Sequence, residues 1–211
     1  MAPAARNPSV VCAWESLTIE ELFTECGALL DGHFLLTSGR HAARYLEKFF
    51  VLQHPSAAVE IGRRFAVALA GLDPTLVVGP TTGGVLLAHE TARQLEPVVG
   101  HAVRGVFAER VEGGRGGRAL RRGWIVGPDE RVVLVDDILT TGVSLVETLA
   151  AVRAAGVEPL AAAVIVDRST APVELGGVPL IALGRIEIPS WEPDACPLCG
   201  SGVPLRKPGS H

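Results

Sequence analysis

The feature that most constrains this 211-residue chain is one strand and the turn after it. Arg131-Val132-Val133-Leu134-Val135-Asp136-Asp137-Ile138-Leu139-Thr140-Thr141-Gly142-Val143-Ser144 joins an apolar, β-branched run to two adjacent acids and a Thr/Gly/Ser turn. A short continuous apolar run is what a parallel strand covered on both faces requires. Val132 to Val135 are therefore predicted to form that strand. In open α/β sheets, ligands bind outside the carboxyl ends of the strands. Asp136 and Asp137 stand at that end. The turn offers successive backbone N–H groups and three hydroxyls, and Gly142 permits a backbone conformation that other residues resist. A helix is predicted over Ser144–Ala155, so its positive end faces any anion held by the turn. Two acids beside such a cradle suit a phosphorylated sugar, whose hydroxyls donate to the carboxylates, or a site that holds Mg²⁺.

Three other readings fit less well. A receiver-domain pocket also carries paired acids, but it places them near the N-terminus and needs a separate acceptor Asp and a Lys. A nucleotide P-loop would end in Gly-Lys-Ser/Thr, which is missing here. A ligand-free strand–turn–helix would not need adjacent acids before a Thr-Thr-Gly turn.

Along the chain, residues 1–13 are Pro/Ala-rich and expected to be mobile. Ser16 or Thr18 is placed to cap a helix running through Leu29. Phe34–Leu36 and Ala43–Phe50 read as short strands around Ser38-Gly39-Arg40. Pro55–Ala70 reads as a helix. Alternation then begins: strand Leu76–Val78, helix Val85–Leu95, strands Val98–Val103 and Gly105–Glu109, and a loop over Val111–Arg122. After the opening strand and helix come strands Leu160–Val166 and Leu180–Ile188. The expectation is an α/β domain, a mainly parallel sheet flanked by helices. There is no internal repeat and no low-complexity segment.

Two further segments face the same end. Gly79-Pro80-Thr81-Thr82-Gly83-Gly84 lies between a strand and a helix, and its glycines allow close backbone approach to an anion. Phe107 to Arg118 holds four glycines and three arginines, Arg110, Arg115 and Arg118. Such a segment cannot pack as a core element. It reads as a mobile flap that brings cations over an anionic leaving group, and arginine binds oxyanions bidentately while staying charged.

Composition narrows the class. Hydrophobic residues make up 48% and charged residues 20%, enough for one sizeable core. The net charge of −4 gives no reason to invoke nucleic acid. No apolar run approaches the ~20 residues that span a bilayer, and the N-terminus lacks a signal-peptide core. A cytoplasmic location is expected. Of the four cysteines, Cys196 and Cys199 form Cys-Pro-Leu-Cys, half a zinc site. Its completion would take Cys12 and Cys26, two histidines, or the same pair from a second subunit. A reduced tail without metal is the expected state.

Val133–Ser144 resembles the phosphoribosyl-diphosphate (PRPP) motif of the type I phosphoribosyltransferases. The resemblance implies that Asp136 and Asp137 bind the ribose hydroxyls. It places the 5′-phosphate on the loop Ile138, Leu139, Thr140, Thr141, Gly142, Val143 and Ser144. It makes Thr81, Thr82 and Gly83 the pyrophosphate loop. Both ends of the chain are similar to the orotate phosphoribosyltransferases in particular. Ala28 to Arg40 resembles their N-terminal hood, with Tyr45 on the strand after it. Val166-Asp167-Arg168 resembles their Asp-Arg, whose arginine holds the orotate carboxylate; Thr140 also borders the base by this resemblance.

The resemblance implies a single phosphoribosyltransferase domain over 1–211. Residues 14–54 and a C-terminal part would form the hood, and about 70–170 the PRPP-binding core. The implied reaction joins PRPP and orotate to give orotidine 5′-monophosphate and pyrophosphate in pyrimidine (UMP) biosynthesis. Mg²⁺ would be carried mainly by PRPP, with no direct protein ligand. Arg110, Asp136 and Asp137 are the catalytic candidates. The partner would be a second copy, in a homodimer with shared sites. Thr37 and Gly83 stand where this family usually or often has lysine, and the flap has no lysine or histidine. Transfer to a purine or uracil, or PRPP sensing without catalysis, are the alternatives.

Overall fold

A computed structural model describes residues 14–111 and 116–208. The expected mobile segment 1–13, with Cys12, and the flap cation Arg115 lie outside the described residues. The described chain opens with a 3-10 turn and α1 (Ile19–Glu25). A hairpin of β1 (Leu29–Leu35) and β2 (His41–Leu46) leads to α2 (Lys48–Leu52) and α3 (Pro55–Leu69). Alternation then runs β3 (Leu76–Pro80), α4 (Gly83–Val99), β4 (Arg104–Arg110), β5 (Arg118–Leu120), β6 (Val132–Leu139), α5 (Val143–Ala154), β7 (Ala161–Asp167) and β8 (Leu180–Arg185). A C-terminal arm adds β9 (Ser190–Trp191) and the short α6 (Pro197–Gly200).

The main sheet has the order β5-β4-β3-β6-β7-β8. All its pairings are parallel except β4 with β5. The apolar runs explain the layering. Val133 and Val135 of β6 enter one core with α3 and α4, while Val132 and Leu134 enter the other with α5. A strand alternates sides with period two, so a run with no polar residue needs cover on both. Full burial of each such side chain contributes roughly 1.5–3 kcal/mol. The hood is a separate three-stranded sheet, β1-β2-β9, built from both ends of the chain.

Several boundaries differ from the sequence reading, each for a local reason. The first helix stops at Glu25, not Leu29. Thr18 caps it in a capping box, and Gly27 with φ 65° turns the chain into β1. The second hood strand ends at Leu46, because the Glu47 side chain accepts from the Phe49 amide and starts α2. No strand forms at Val98–Val103: α4 runs on to Val99 and ends on Gly100 with φ 77°. β6 runs four residues past Val135 because Ile138 and Leu139 keep pairing with Val166 and Asp167. The flap region is a hairpin stem, with Arg110 paired to Arg118.

Candidate active site

The parallel strands carry four functional segments to one edge. β3 delivers the Thr81–Gly83 turn, β6 the two acids and the Thr/Gly/Ser turn, and β7 Arg168. β4 and β5 carry Arg110 and Arg118 beside them.

Asp136 and Asp137 are both buried, 5% and 4% exposed, so each needs compensation. Asp136 accepts from the Asp137 amide at 2.8 Å and from the Ser144 hydroxyl. Its burial, and then the neighbouring Asp137 charge, push its carboxyl up to about 6 despite these two hydrogen bonds. Asp137 accepts from the Ile138 amide at 2.7 Å, and the Lys48 ammonium lies 3.0 Å from both of its oxygens. Lys48 comes from α2 of the hood and has no counterpart in the sequence reading. It lies in the stretch expected to be strand, and the Glu47 cap that turns it inward is a weak signal. The Lys48 Nζ also stands 5.5 Å from the Phe49 ring centroid.

Gly83 is held against the acids. A Cβ there would lie 2.1 Å from the Asp137 Oδ2, so a side chain at this position would require the Asp137 carboxylate to move. Its place in the turn that enters α4 is therefore explained by close packing as well as by ligand approach. Gly142 has φ 76° and caps α5, and a Cβ would meet Val173 at 2.2 Å. The Thr140 and Thr141 side chains are exposed at the mouth of the turn, and Val143 is exposed beside them. Ile138 and Leu139 differ from these. Their side chains pack in the two cores, and the Ile138 amide is taken by Asp137. Ser144 likewise gives its hydroxyl to Asp136, which leaves its backbone as what faces the loop.

Arg118 corrects an expectation. It is not a mobile flap cation: it is 8% exposed, and its guanidinium donates to the Thr81 hydroxyl at 3.0 Å and the Ala108 carbonyl at 3.1 Å. Its Nε is 3.4 Å from Glu147, whose other oxygen accepts from the Gly117 amide. The stem of the flap is thus fastened to α5 and to the Thr81–Thr82 turn. Arg110, at the end of β4, is exposed.

Arg168 comes directly after β7. Asp167 does not pair with it: Asp167 accepts from the Ser169 amide and from Arg185 at 3.2 Å. Arg168 is half-buried, and its Nε is buried with no hydrogen-bond partner among the described residues. Burial lowers its pKa from the ordinary arginine value, partly offset by nearby Tyr45. A buried guanidinium donor left without an acceptor points to an anion supplied from outside.

The comparisons with known proteins agree with this geometry. Residues 51–177 match the phosphoribosyl transferase domain. That match covers more than half of the chain. The chain belongs to the phosphoribosyltransferase family. The orotate phosphoribosyltransferase of Pelotomaculum thermopropionicum is 44% identical over 193 residues, covering 92% of this chain and 96% of that protein. That of Thermotoga maritima is 38% identical over 193 residues, 92% and 98% of the two chains. The crystal structure of Mycobacterium tuberculosis orotate phosphoribosyltransferase in complex with Fe(III) dicitrate superposes with a TM-score of 0.63 at 24% identity, covering 80% and 96%, and shows the shared fold. This phosphoribosyltransferase is the α/β domain with a hood that its sequence implied. Among its described residues, no helix is long and apolar enough to cross a membrane.

Proposed function

We propose that this phosphoribosyltransferase moves the 5-phosphoribosyl group of PRPP to orotate, giving orotidine 5′-monophosphate and pyrophosphate. The observation that carries the choice of base is Arg168. The buried Nε of its guanidinium, without a hydrogen-bond partner among the described residues, suits the carboxylate that orotate has and uracil, adenine and hypoxanthine lack. The 38–44% identity to proteins named orotate phosphoribosyltransferase supports the same reading.

In this reading the α5 turn, Thr140 to Ser144, holds the 5′-phosphate with backbone amides at a helix N-terminus. Asp136 and Asp137 accept from the ribose hydroxyls on the side of each carboxylate left open by Ser144 and Lys48. Thr81, Thr82 and Gly83 hold the pyrophosphate, with Arg118 fixing the Thr81 hydroxyl. Arg110 meets the leaving charge, and Thr140 borders the base. A ring nitrogen of orotate displaces pyrophosphate at the anomeric carbon through an oxocarbenium-like transition state. No protein nucleophile is required.

Mg²⁺ fits as a passenger of PRPP. The Lys48 ammonium already places a cation 3.0 Å from both Asp137 oxygens, so that carboxylate needs no metal ion to balance it. When bound, the ion neutralises charge on the leaving pyrophosphate. We further propose a cytoplasmic homodimer in which the flap of one subunit serves its neighbour's site. An assay with orotate, PRPP and Mg²⁺ tests the activity directly. Consumption of orotate with PRPP-dependent formation of pyrophosphate is expected. Turnover of adenine, hypoxanthine or uracil in its place would reassign the acceptor, and PRPP binding without turnover would make the chain a sensor.

A further inference from the structure

On the far side of the hood, four side chains converge that the phosphoribosyl chemistry does not use. His33 lies on β1, His41 begins β2, Cys196 is the N-cap of α6 and Cys199 lies within that short helix. Their ligand atoms all lie within 4.8 Å of one another. His33 Nε2 is 3.0 Å from His41 Nδ1, 3.4 Å from Cys196 Sγ and 3.8 Å from Cys199 Sγ. His41 Nδ1 is 3.3 Å from Cys199 Sγ. For a tetrahedral ion with Zn–N near ~2.0 Å and Zn–S near ~2.3 Å, the ligand-to-ligand edges should be roughly 3.3–3.8 Å. Three of these four separations, 3.3, 3.4 and 3.8 Å, lie in that range, and the His33–His41 separation is somewhat shorter at 3.0 Å.

Hydrogen bonding alone does not account for the cluster. His33 Nδ1 stands 2.8 Å from the Val203 carbonyl, which can only accept, so Nδ1 carries the proton. In the neutral ring Nε2 then holds a single lone pair, yet three polar atoms crowd it. One lone pair satisfies one donor. Both histidines are buried, 1% and 6% exposed, and so is Cys196 at 6%; Cys199 alone of the four is exposed and closes the cluster from the surface. The Val203 carbonyl is the kind of outer partner that fixes the tautomer of a metal-bound histidine.

We propose that His33, His41, Cys196 and Cys199 bind one zinc ion that clamps the C-terminal arm onto the N-terminal hairpin. Of the three completions open from the sequence, the fold supplies the two histidines. Cys26 sits apart, at the end of α1 against the main core. The β1–β2 ladder slips between Asp31 and Phe34, and such a bulge re-aims a side chain, here His33 at the middle of the slip. The ion has four protein ligands and no open position, so its role is structural. It ties segments from opposite ends of the chain, the geometry in which a cross-link removes most freedom from the unfolded state. Among the described residues the same arm also meets the hairpin through the two-residue β2–β9 pairing, Arg40 to Ser190 and Glu192, His33 to the Val203 carbonyl, and Arg206 to the backbones of His33 and Leu35.

The test is metal content of the untagged full-length protein, purified without chelator. About one zinc per chain is expected, as a four-ligand site holds one ion. C196S/C199S protein should hold less than about a tenth of that and melt at least ~5 °C lower. Wild-type protein stripped of metal and given Co²⁺ should show the visible bands and thiolate charge-transfer of a tetrahedral S₂N₂ site, a readout that does not depend on the variant folding. The proposal is overturned if wild-type protein incubated with equimolar Zn²⁺ retains none after gel filtration and both thiols react freely. A Cys196–Cys199 disulfide in protein made under reducing conditions would overturn it equally.

Discussion

The Lys48 ammonium of α2 reaches across to the Asp137 carboxylate of β6, 3.0 Å from each oxygen. The pair joins α2 to the carboxyl end of β6 and sets a cation against one of two adjacent buried acids. A charge-assisted hydrogen bond of this kind is worth roughly 1.5–3 kcal/mol. Lys48→Met is therefore expected to lower kcat/KM for PRPP by about tenfold or more. Steady-state kinetics with PRPP varied will show it; an unchanged value would reduce the pair to a surface contact.

Asp136→Asn and Asp137→Asn should each weaken PRPP use by about tenfold or more, since an amide accepts less well from ribose hydroxyls. Gly83→Ala should do comparable harm by a different route, because its Cβ would displace the Asp137 carboxylate from 2.1 Å away. Normal PRPP kinetics in both Asn variants would remove the acids from the site.

The raised Asp136 carboxyl makes two pH predictions of opposite sense. Its folded value, about 6, lies above the ordinary 3.8, so the ligand-free folded protein binds the extra proton between those values. Its contribution to stability is present at low pH and is lost as pH rises through about 6. PRPP requires the carboxylate, so the PRPP KM should rise as pH falls below about 6. Asp136→Asn should remove that pH dependence and, above it, melt no lower than wild type without ligand. A wild-type PRPP KM that is flat from neutral pH down to 5 would contradict this ordering.

Arg168→Ala should raise the orotate KM far more than the PRPP KM, because it removes the donor aimed at the base carboxylate and leaves the phosphate turn alone. A parallel rise in both constants would show that Arg168 supports the fold of the edge instead.

Arg118 and Arg110 should separate cleanly. Arg118→Ala empties the buried place of the guanidinium that ties the Thr81 hydroxyl and the Ala108 carbonyl to Glu147, so both thermal stability and kcat should fall. Arg110→Ala, at an exposed position, should lower kcat with little change in melting temperature. Mixing Arg110→Ala with Asp137→Asn protein should restore part of the activity if subunits share sites. No recovery after demonstrated subunit exchange would confine each site to one chain.

What local sequence determined here is the sheet and the turns at its edge. β-branched runs without polar residues demand cover on both faces, and Gly/Thr turns before helices demand an anion or a tight packing contact. Strand β6 and the turns after β3 and β6 were legible for that reason, whereas Arg168 was singled out only by its resemblance to a family motif. Element ends were less so, because the Glu47 cap, the run of α4 past Pro97 and the pairing of Ile138–Leu139 with β7 compete with propensity. The tertiary structure alone decided which distant residues meet. Lys48 finds Asp137, Arg118 turns inward to Thr81, and two histidines complete a Cys-x-x-Cys that lies near the other end of the chain. Hydrophobic periodicity is set by neighbours a few residues away, whereas these polar contacts depend on how the hood and C-terminal arm close over the core, which no local pattern encodes.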